Sequence, residues 1–247
     1  MTLDGLEPSI LLPALAAGLL VLASHVPLGM EVLRRGIIFI DLAIAQIAGL
    51  GIVIASTLGF AVDGWRTQLS AVLAALAGAL ALRWMEKKNP AHLEAVIGVS
   101  FVAAACAAVV LMSQDPHAGE HLQELLVGQI LWSTWAGLAP LALVTAAVLV
   151  GWFGLNLKAS ALGFYLLFAL TVTASVQVVG VYLVFASLIV PALAVAGRLW
   201  RAYAVGIAGY GLGLLASGLF DLPAGAAIVL ALVVVAVLAG RLRRAND

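Results

Sequence analysis

The chain has 247 residues, 64% of them hydrophobic and 10% charged, with no formal net charge and a mean hydropathy of +1.18. Soluble domains run to about 45–50% apolar and about 25% charged residues, so this composition excludes a soluble enzyme or a nucleic-acid-binding domain and describes a polytopic membrane protein. The zero net charge says little about partners, because in such a chain the loops that carry the charges decide topology and contacts.

A helix needs about 20 mainly apolar residues to cross the hydrocarbon core. Cutting at polar loops predicts nine segments: 10–28, 36–60, 69–84, 95–112, 137–155, 159–176, 178–197, 202–220 and 224–240. The opening MTLDGLEPSI carries no Lys or Arg ahead of the first apolar run, so this segment is expected to stay rather than be cleaved as a secretory signal. Its His25, beside Pro27, is expected to be a satisfied helix-packing residue.

The second segment lies within EVLRRGIIFIDLAIAQIAGLGIVIA, Glu31 to Ala55, where Asp41 and Gln46 interrupt an apolar run. On a helix running on from Arg35, Asp41 would lie about 9 Å into the membrane, too deep for a short side chain to snorkel out. A carboxylate there costs about 2.5–3.5 kcal/mol on insertion scales and calls for a partner, a cavity or an ion. The alternative is a structural pair with an Arg or with Ser and Thr hydroxyls. Gln46 either adds an oxygen to such a site or only bonds helix to helix. Five residues on a regular helix set the two about 140° apart, so they share a face only if the helix is bulged or broken between them.

Between the fourth and fifth segments, SQDPHAGEHLQELLVGQILWSTW is a polar loop followed by a short amphipathic stretch. His117 and His121 stand at i and i+4 with Asp115, Glu120 and Glu124 close by. A helix there would let them hold a divalent ion on the outer face; an exposed polar loop is the simpler account. The single Cys106 excludes an internal disulfide and a Cys-based metal cluster, and is expected to be a small core residue. His92 falls on an inner loop and is expected to be solvated. Trp132, Trp135 and Trp152, near segment ends, need only be interfacial anchors. At Ser175-Val176-Gln177 two apolar segments meet with almost nothing polar between them, as a tight hairpin or as one long element broken at Gly180. Ala75-Ala79, Ala202-Gly206 and Gly209-Gly213 have the small-xxx-small spacing that lets helices approach closely.

With the N-terminus outside, eleven of the twelve Lys and Arg residues fall on inner loops and Arg66 alone falls outside, as the positive-inside rule requires. The expected architecture is an all-α transmembrane bundle of eight or nine helices, one integral membrane domain over residues 1–247, with an outer N-terminus and an inner C-terminus. The longest inner loop, WMEKKNPAHLE, is too short to fold alone. No G-x-x-x-x-G-K phosphate loop occurs, so ATP hydrolysis by that route belongs to another chain.

The stretch RRGIIFIDLAIAQIAGLG resembles the motif of the zinc/manganese ABC permease family, the membrane subunits of bacterial metal importers, in which basic residues precede an aromatic, an Asp and then a His. Four further blocks resemble the family in order and spacing: EAVIGV from Glu94, HLQELLVGQIL with Gly128, VVGVYLVFASLIVPALAVAGR with Gly180 and Pro191, and LFDLPAGAAIVL. The resemblance covers most of the chain. It implies a non-enzymatic permease subunit in the bacterial inner membrane that works as a homodimer, with a cytoplasmic ABC ATPase and an extracytoplasmic metal-binding protein as partners. It implies no bound cofactor and a cargo of zinc or manganese, with Asp41 as ion ligand and Gln46 or a neighbouring helix adding oxygens.

Two departures matter. Four residues after the Asp, where the family usually has His, this chain has Ala45, with Gln46 next; a Gln carbonyl is a hard oxygen ligand, whereas imidazole suits zinc better. The inner loop GLNLKASALGF is shorter than the family's ATPase-docking segment, so docking is expected to draw on Lys87, Lys88 and Asn89 as well as Lys158. The rival readings are a permease for a metal chelate or vitamin-like substrate, and a non-transporting structural membrane protein in which Asp41 and Gln46 only join helices.

Overall fold

The computed structural model describes residues 7–61, 64–113, 128–195 and 197–244. Among them are nine α-helices and no strand: α1 (Pro8–Arg35), α2 (Ile40–Thr57), α3 (Trp65–Lys88), α4 (Leu93–Leu111), α5 (Trp135–Leu149), α6 (Ala161–Val179), α7 (Val181–Ala194), α8 (Leu199–Phe220) and α9 (Ala224–Arg244). Eight spans are long and apolar enough to cross a membrane, and α7 is the shorter apolar helix. The stretch 178–197 was expected to be one full span; α7 occupies only Val181–Ala194 of it, because Gly180 opens it and the chain leaves helical geometry at Val195.

Local sequence explains the boundaries. Gly36, with φ of 70°, ends α1 in the left-handed conformation that glycine tolerates best. Arg34 and Arg35 sit in the last turn, where cations complement the exposed carbonyls. Asn89-Pro90 stops α3, and a single 3-10 turn, Pro90–His92, leads into α4. Ser160 accepts a hydrogen bond from the Gly163 amide at 2.9 Å, which satisfies a free N–H at the start of α6. Before it, α5 runs into a π-helical turn, Val150–Gly154.

The chain forms two compact units. The first comprises Met1–Arg35, Leu126–Ala146 and Ser175–Asp247, and in it α1 packs on α7 and α8 while α9 packs on the same two helices. Small residues carry these contacts, as the spacings predict. A Cβ on Gly29 would strike the Leu188 carbonyl, one on Gly206 would meet Leu22, and one on Gly213 would meet the Ile228 backbone. Polar bonds stitch the same helices: Ser187 Oγ to Tyr210 Oη at 2.8 Å, and Tyr203 Oη to the Ala23 carbonyl at 2.9 Å.

The second unit comprises Gly36–Leu125 and Ala147–Ala174. Here α2 packs on both α3 and α4, and the Gly51 position leaves room for the Ser70–Ala71 backbone of α3. Ser70 Oγ donates to the Gly51 carbonyl at 2.8 Å. Two expectations fail in this unit. Trp152 is 4% exposed and packs at a tilt against Phe164, with centroids 6.5 Å apart, because its place in the π-helical turn sets its ring inside the unit rather than toward the headgroups. Cys106 is exposed, because α4 buries few of its residues and Cys106 lies on its open face.

Candidate functional site

The break at Gly36 relocates Asp41. The helix does not run on from Arg35; α2 starts at Ile40, so Asp41 stands in its first turn and the depth counted along an unbroken helix does not apply. Phe39 precedes the helix and supplies no side-chain cap; the Ile40 amide donates to the Ile37 carbonyl at 3.3 Å, and the next two amides of the first turn, of Asp41 and Leu42, lie beside the Asp41 carboxylate. Asp41 is 1% exposed, and neither carboxylate oxygen has a hydrogen-bond partner among the described residues. The groups that act on it electrostatically are the amides of Asp41 and Leu42 and, as a like charge, the carboxylate of Glu94.

Glu94 occupies the first turn of α4. Its Oε1 accepts a hydrogen bond from the Phe39 amide at 3.3 Å, which brings the starts of α2 and α4 to the same end of the unit. Its Oε2 is buried without a partner. Sequence reasoning quoted Glu94 only as part of a motif block; its nearness to Asp41, 53 positions away in the sequence, depends on how α2 and α4 pack.

Gln46 does not join Asp41. The α2 helix is continuous from Ile40 to Thr57, so no bulge brings the two onto one face, and Gln46 is half-buried while Asp41 is enclosed. The residue that shares Asp41's face at i+4 is Ala45, itself buried. The arginines beside the motif are engaged within α1: Arg34 forms an ion pair with Glu31, and Arg35 Nε lies 2.7 Å from the same carboxylate.

His117 and His121 lie outside the described residues, and among the described residues no group of three or more His, Cys, Asp and Glu side chains is poised around one point. Lys87, Lys88 and Asn89 are exposed at the end of α3; Lys88 Nζ sits 4.1 Å from the Trp84 ring centroid, and Asn89 Oδ1 is 3.0 Å from His92 Nδ1. Lys158 stands on a separate 3-10 turn, Leu157–Ala159, over the rings of Trp152 and Phe153.

In the first unit His25 is fully enclosed and satisfied, as expected. Its Nδ1 is 2.8 Å from the Val21 carbonyl and its Nε2 is 3.1 Å from Ser175 Oγ, so Nδ1–H donates and Nε2 accepts. The same unit holds a cavity of about 250 Å³ lined by Gln129, Ser133, Thr134 and Gln177 together with Trp132 and Leu138. Ser133 Oγ is buried there without a partner. The cavity's polar groups come from Gln129, Ser133 and Thr134, just before α5, and from Gln177 at the end of α6, two segments too far apart in the sequence to form one motif.

A model of the ABC 3 transport family matches residues 7–153 and 151–242. The two matches meet inside the π-helical turn, immediately before the inner loop that departs from the expected length. No curated protein matches the chain. Among solved structures, PsaBC from Streptococcus pneumoniae in complex with Fab is similar at 21% identity, with a TM-score of 0.69 over 99% of this chain and 98% of that one. An ABC transporter assigned to the metal-chelate type, in an inward-facing conformation, is similar at 15% identity, with a TM-score of 0.55 over 94% of this chain and 77% of that one. These two likenesses establish the fold.

Proposed function

The chain belongs to the ABC 3 transport family, and from that premise we propose that it is the membrane permease subunit of a bacterial importer of divalent transition metal ions, zinc or manganese. The observation that carries the cargo assignment is the Asp41 carboxylate, enclosed and unpartnered at the start of α2. A buried carboxylate held by neither an Arg nor a hydroxyl is costly, and the Asp41 and Leu42 amides beside it ease that cost without neutralising the charge. A passing cation neutralises it. The similarity to a metal-chelate type transporter is a likeness of fold, and a chelate would need a wide cavity rather than a bare carboxylate.

ATP is hydrolysed by a separate cytoplasmic ATPase, which docks on the exposed Lys87–Asn89 turn and on the Lys158 turn. An extracytoplasmic binding protein delivers the ion. The cavity lined by Gln129, Ser133, Thr134 and Gln177 lies, by the charge distribution of the loops, toward the outer face, where neutral oxygens suit a partly hydrated incoming cation. Two copies of the permease, related by closed two-fold symmetry, complete the channel.

Reconstitution of the chain in liposomes with its ATPase and binding protein tests this reading. ATP-dependent accumulation of manganese or zinc is the expected result. ATP turnover without accumulation of either ion would overturn the cargo assignment.

A further inference from the structure

We infer that the arginine-rich end shared by α8 and α9 binds the phosphodiester headgroup of an anionic phospholipid. The inference is independent of which ion the chain carries.

The basic residues that the loops' charge distribution sets on the inner side are divided by type between the two units. In the first unit they are arginines throughout: Arg34 and Arg35 close α1, Arg198 and Arg201 stand at the start of α8, and Arg241, Arg243 and Arg244 fall in the last turn of α9. The lysines, Lys87, Lys88 and Lys158, all belong to the second unit. Membrane topology needs only positive charge and is served by either side chain. A phosphodiester discriminates: the planar guanidinium donates two parallel N–H bonds to two phosphate oxygens, whereas an ammonium is a strongly hydrated point charge.

Helix register gathers these arginines. Gly209 lies against Leu232 and Gly213 against Ile228, so α8 and α9 run antiparallel. The same register carried on for about three turns brings Arg241 level with Trp200 and Arg201, and Arg243 level with Arg198. Arg198 and Arg241 are exposed. The Arg201 guanidinium rests over the Trp200 ring, 5.3 Å from its centroid, and Trp200 is itself 67% exposed, a pairing suited to headgroup depth. No acid answers this charge: Glu31 is already shared by Arg34 and Arg35, and among the described residues Arg198, Arg201 and Arg241 have no ion-pair partner. Arg198 and Arg201 also stand at the positive end of α8, where a cation disfavours its own helix, so their placement answers something outside it.

The surface next to the arginines selects a lipid over a free anion. Val234, Val237 and Leu238 are exposed on α9 and share a helix face with Arg241 at spacings of three, four and seven residues. An apolar stripe that ends in a guanidinium matches an acyl chain that ends in a phosphate, as in basic sites for anionic headgroups beside other transmembrane helices.

The test uses the purified full chain in neutral detergent, titrated separately with dioleoylphosphatidylglycerol, dioleoylphosphatidylcholine and inorganic phosphate. Bound lipid is counted by native mass spectrometry and the melting temperature is recorded on the same samples. The variants are Arg241→Gln alone, Arg198→Gln/Arg201→Gln/Arg241→Gln, the same three positions changed to Lys, and Arg83→Gln as a control in the second unit; Arg34, Arg35, Arg243 and Arg244 remain to hold the topology. The expected result is that wild type retains phosphatidylglycerol in preference to phosphatidylcholine and is stabilised by it. The triple Gln variant binds it about 10- to 100-fold more weakly, Arg241→Gln and the triple Lys variant fall between, and Arg83→Gln matches wild type. Equal retention of the two lipids by wild type, or of phosphatidylglycerol by wild type and the triple Gln variant, would overturn the site. A triple Lys variant that binds like wild type would overturn the bidentate recognition on which it rests. Inorganic phosphate stabilising as strongly as phosphatidylglycerol would make it a site for free anions. Loss of the co-purifying ATPase from the triple Gln variant, with lipid binding unchanged, would give this end to the ATPase instead.

Discussion

Gly180, between α6 and α7, has φ of 79° and ψ of 164°, a region of backbone space that is essentially closed to residues with a Cβ. Forcing another residue there costs about 1–3 kcal/mol. The junction cannot readily relax, because Gly128 sits so close to the Val179–Gly180 backbone that its own hydrogen faces that peptide with no space for a methyl group. Gly180→Ala is therefore expected to lose about 1–3 kcal/mol of stability, a factor of about 5 to 150 in the folded-to-unfolded ratio at about 1.4 kcal/mol per tenfold. At about 2–4 °C per kcal/mol for a chain of this size, the melting temperature falls by several degrees. Gly211, within α8, is the control: a Cβ there meets nothing within 4 Å, and Gly→Ala inside a helix is neutral or favourable by up to about 1 kcal/mol. Thermal unfolding in detergent, followed by size-exclusion chromatography of heated samples, reads both variants. If Gly180→Ala melts with wild type, or if Gly211→Ala falls by as much as Gly180→Ala, the argument from backbone strain is wrong.

Gly29→Ala places a methyl group against the Leu188 carbonyl of α7 and is expected to cost about 1–3 kcal/mol by overpacking, seen as a lower melting temperature without loss of helical circular dichroism. In a Cys106→Ala background, a single cysteine at Ser113 is expected to react with a membrane-impermeant label on intact cells, whereas one at Lys87 should not; the opposite pattern would invert the topology. Ala45→His puts an imidazole on Asp41's face and should raise zinc affinity relative to manganese by about tenfold or more, while Gln46→His, on a different face, should leave the ratio near wild type. Equal shifts in both would mean that α2 is not a regular helix through this stretch.

How much of this was visible beforehand depended on the range of the interaction. Hydrophobic runs and the placement of Lys and Arg are local and cumulative, so the all-helical bundle and most of its spans follow from the sequence, as do the close contacts at Gly206 and Gly213. The carboxylate in an apolar stretch was legible for the same reason. Its surroundings were not: the stop at Gly36 turns on one residue's backbone conformation, and without it Asp41 is counted too deep. Glu94 was quoted as part of a motif, but its approach to Asp41 is a product of helix packing between distant segments. Trp152 misled because a Trp near a segment end usually anchors at the interface, and only the π-helical turn directs it inward. Gln46 drew attention by chemistry alone, and the regular geometry of α2 separates it from the carboxylate it was expected to join.

The central claim is that Asp41 is enclosed because it meets the transported ion, and uptake per folded transporter in the Asp41→Asn variant tests it most directly. The substitution removes the charge and nearly preserves size, so reconstituted vesicles can be normalised to the folded permease they contain and assayed with manganese and zinc in turn. The account predicts that uptake of both ions is abolished while the melting temperature in the absence of metal is unchanged or higher, since a buried unpaired carboxylate has been neutralised. Wild-type uptake per folded Asp41→Asn transporter, with a lowered melting temperature, would contradict it and make Asp41 a structural residue.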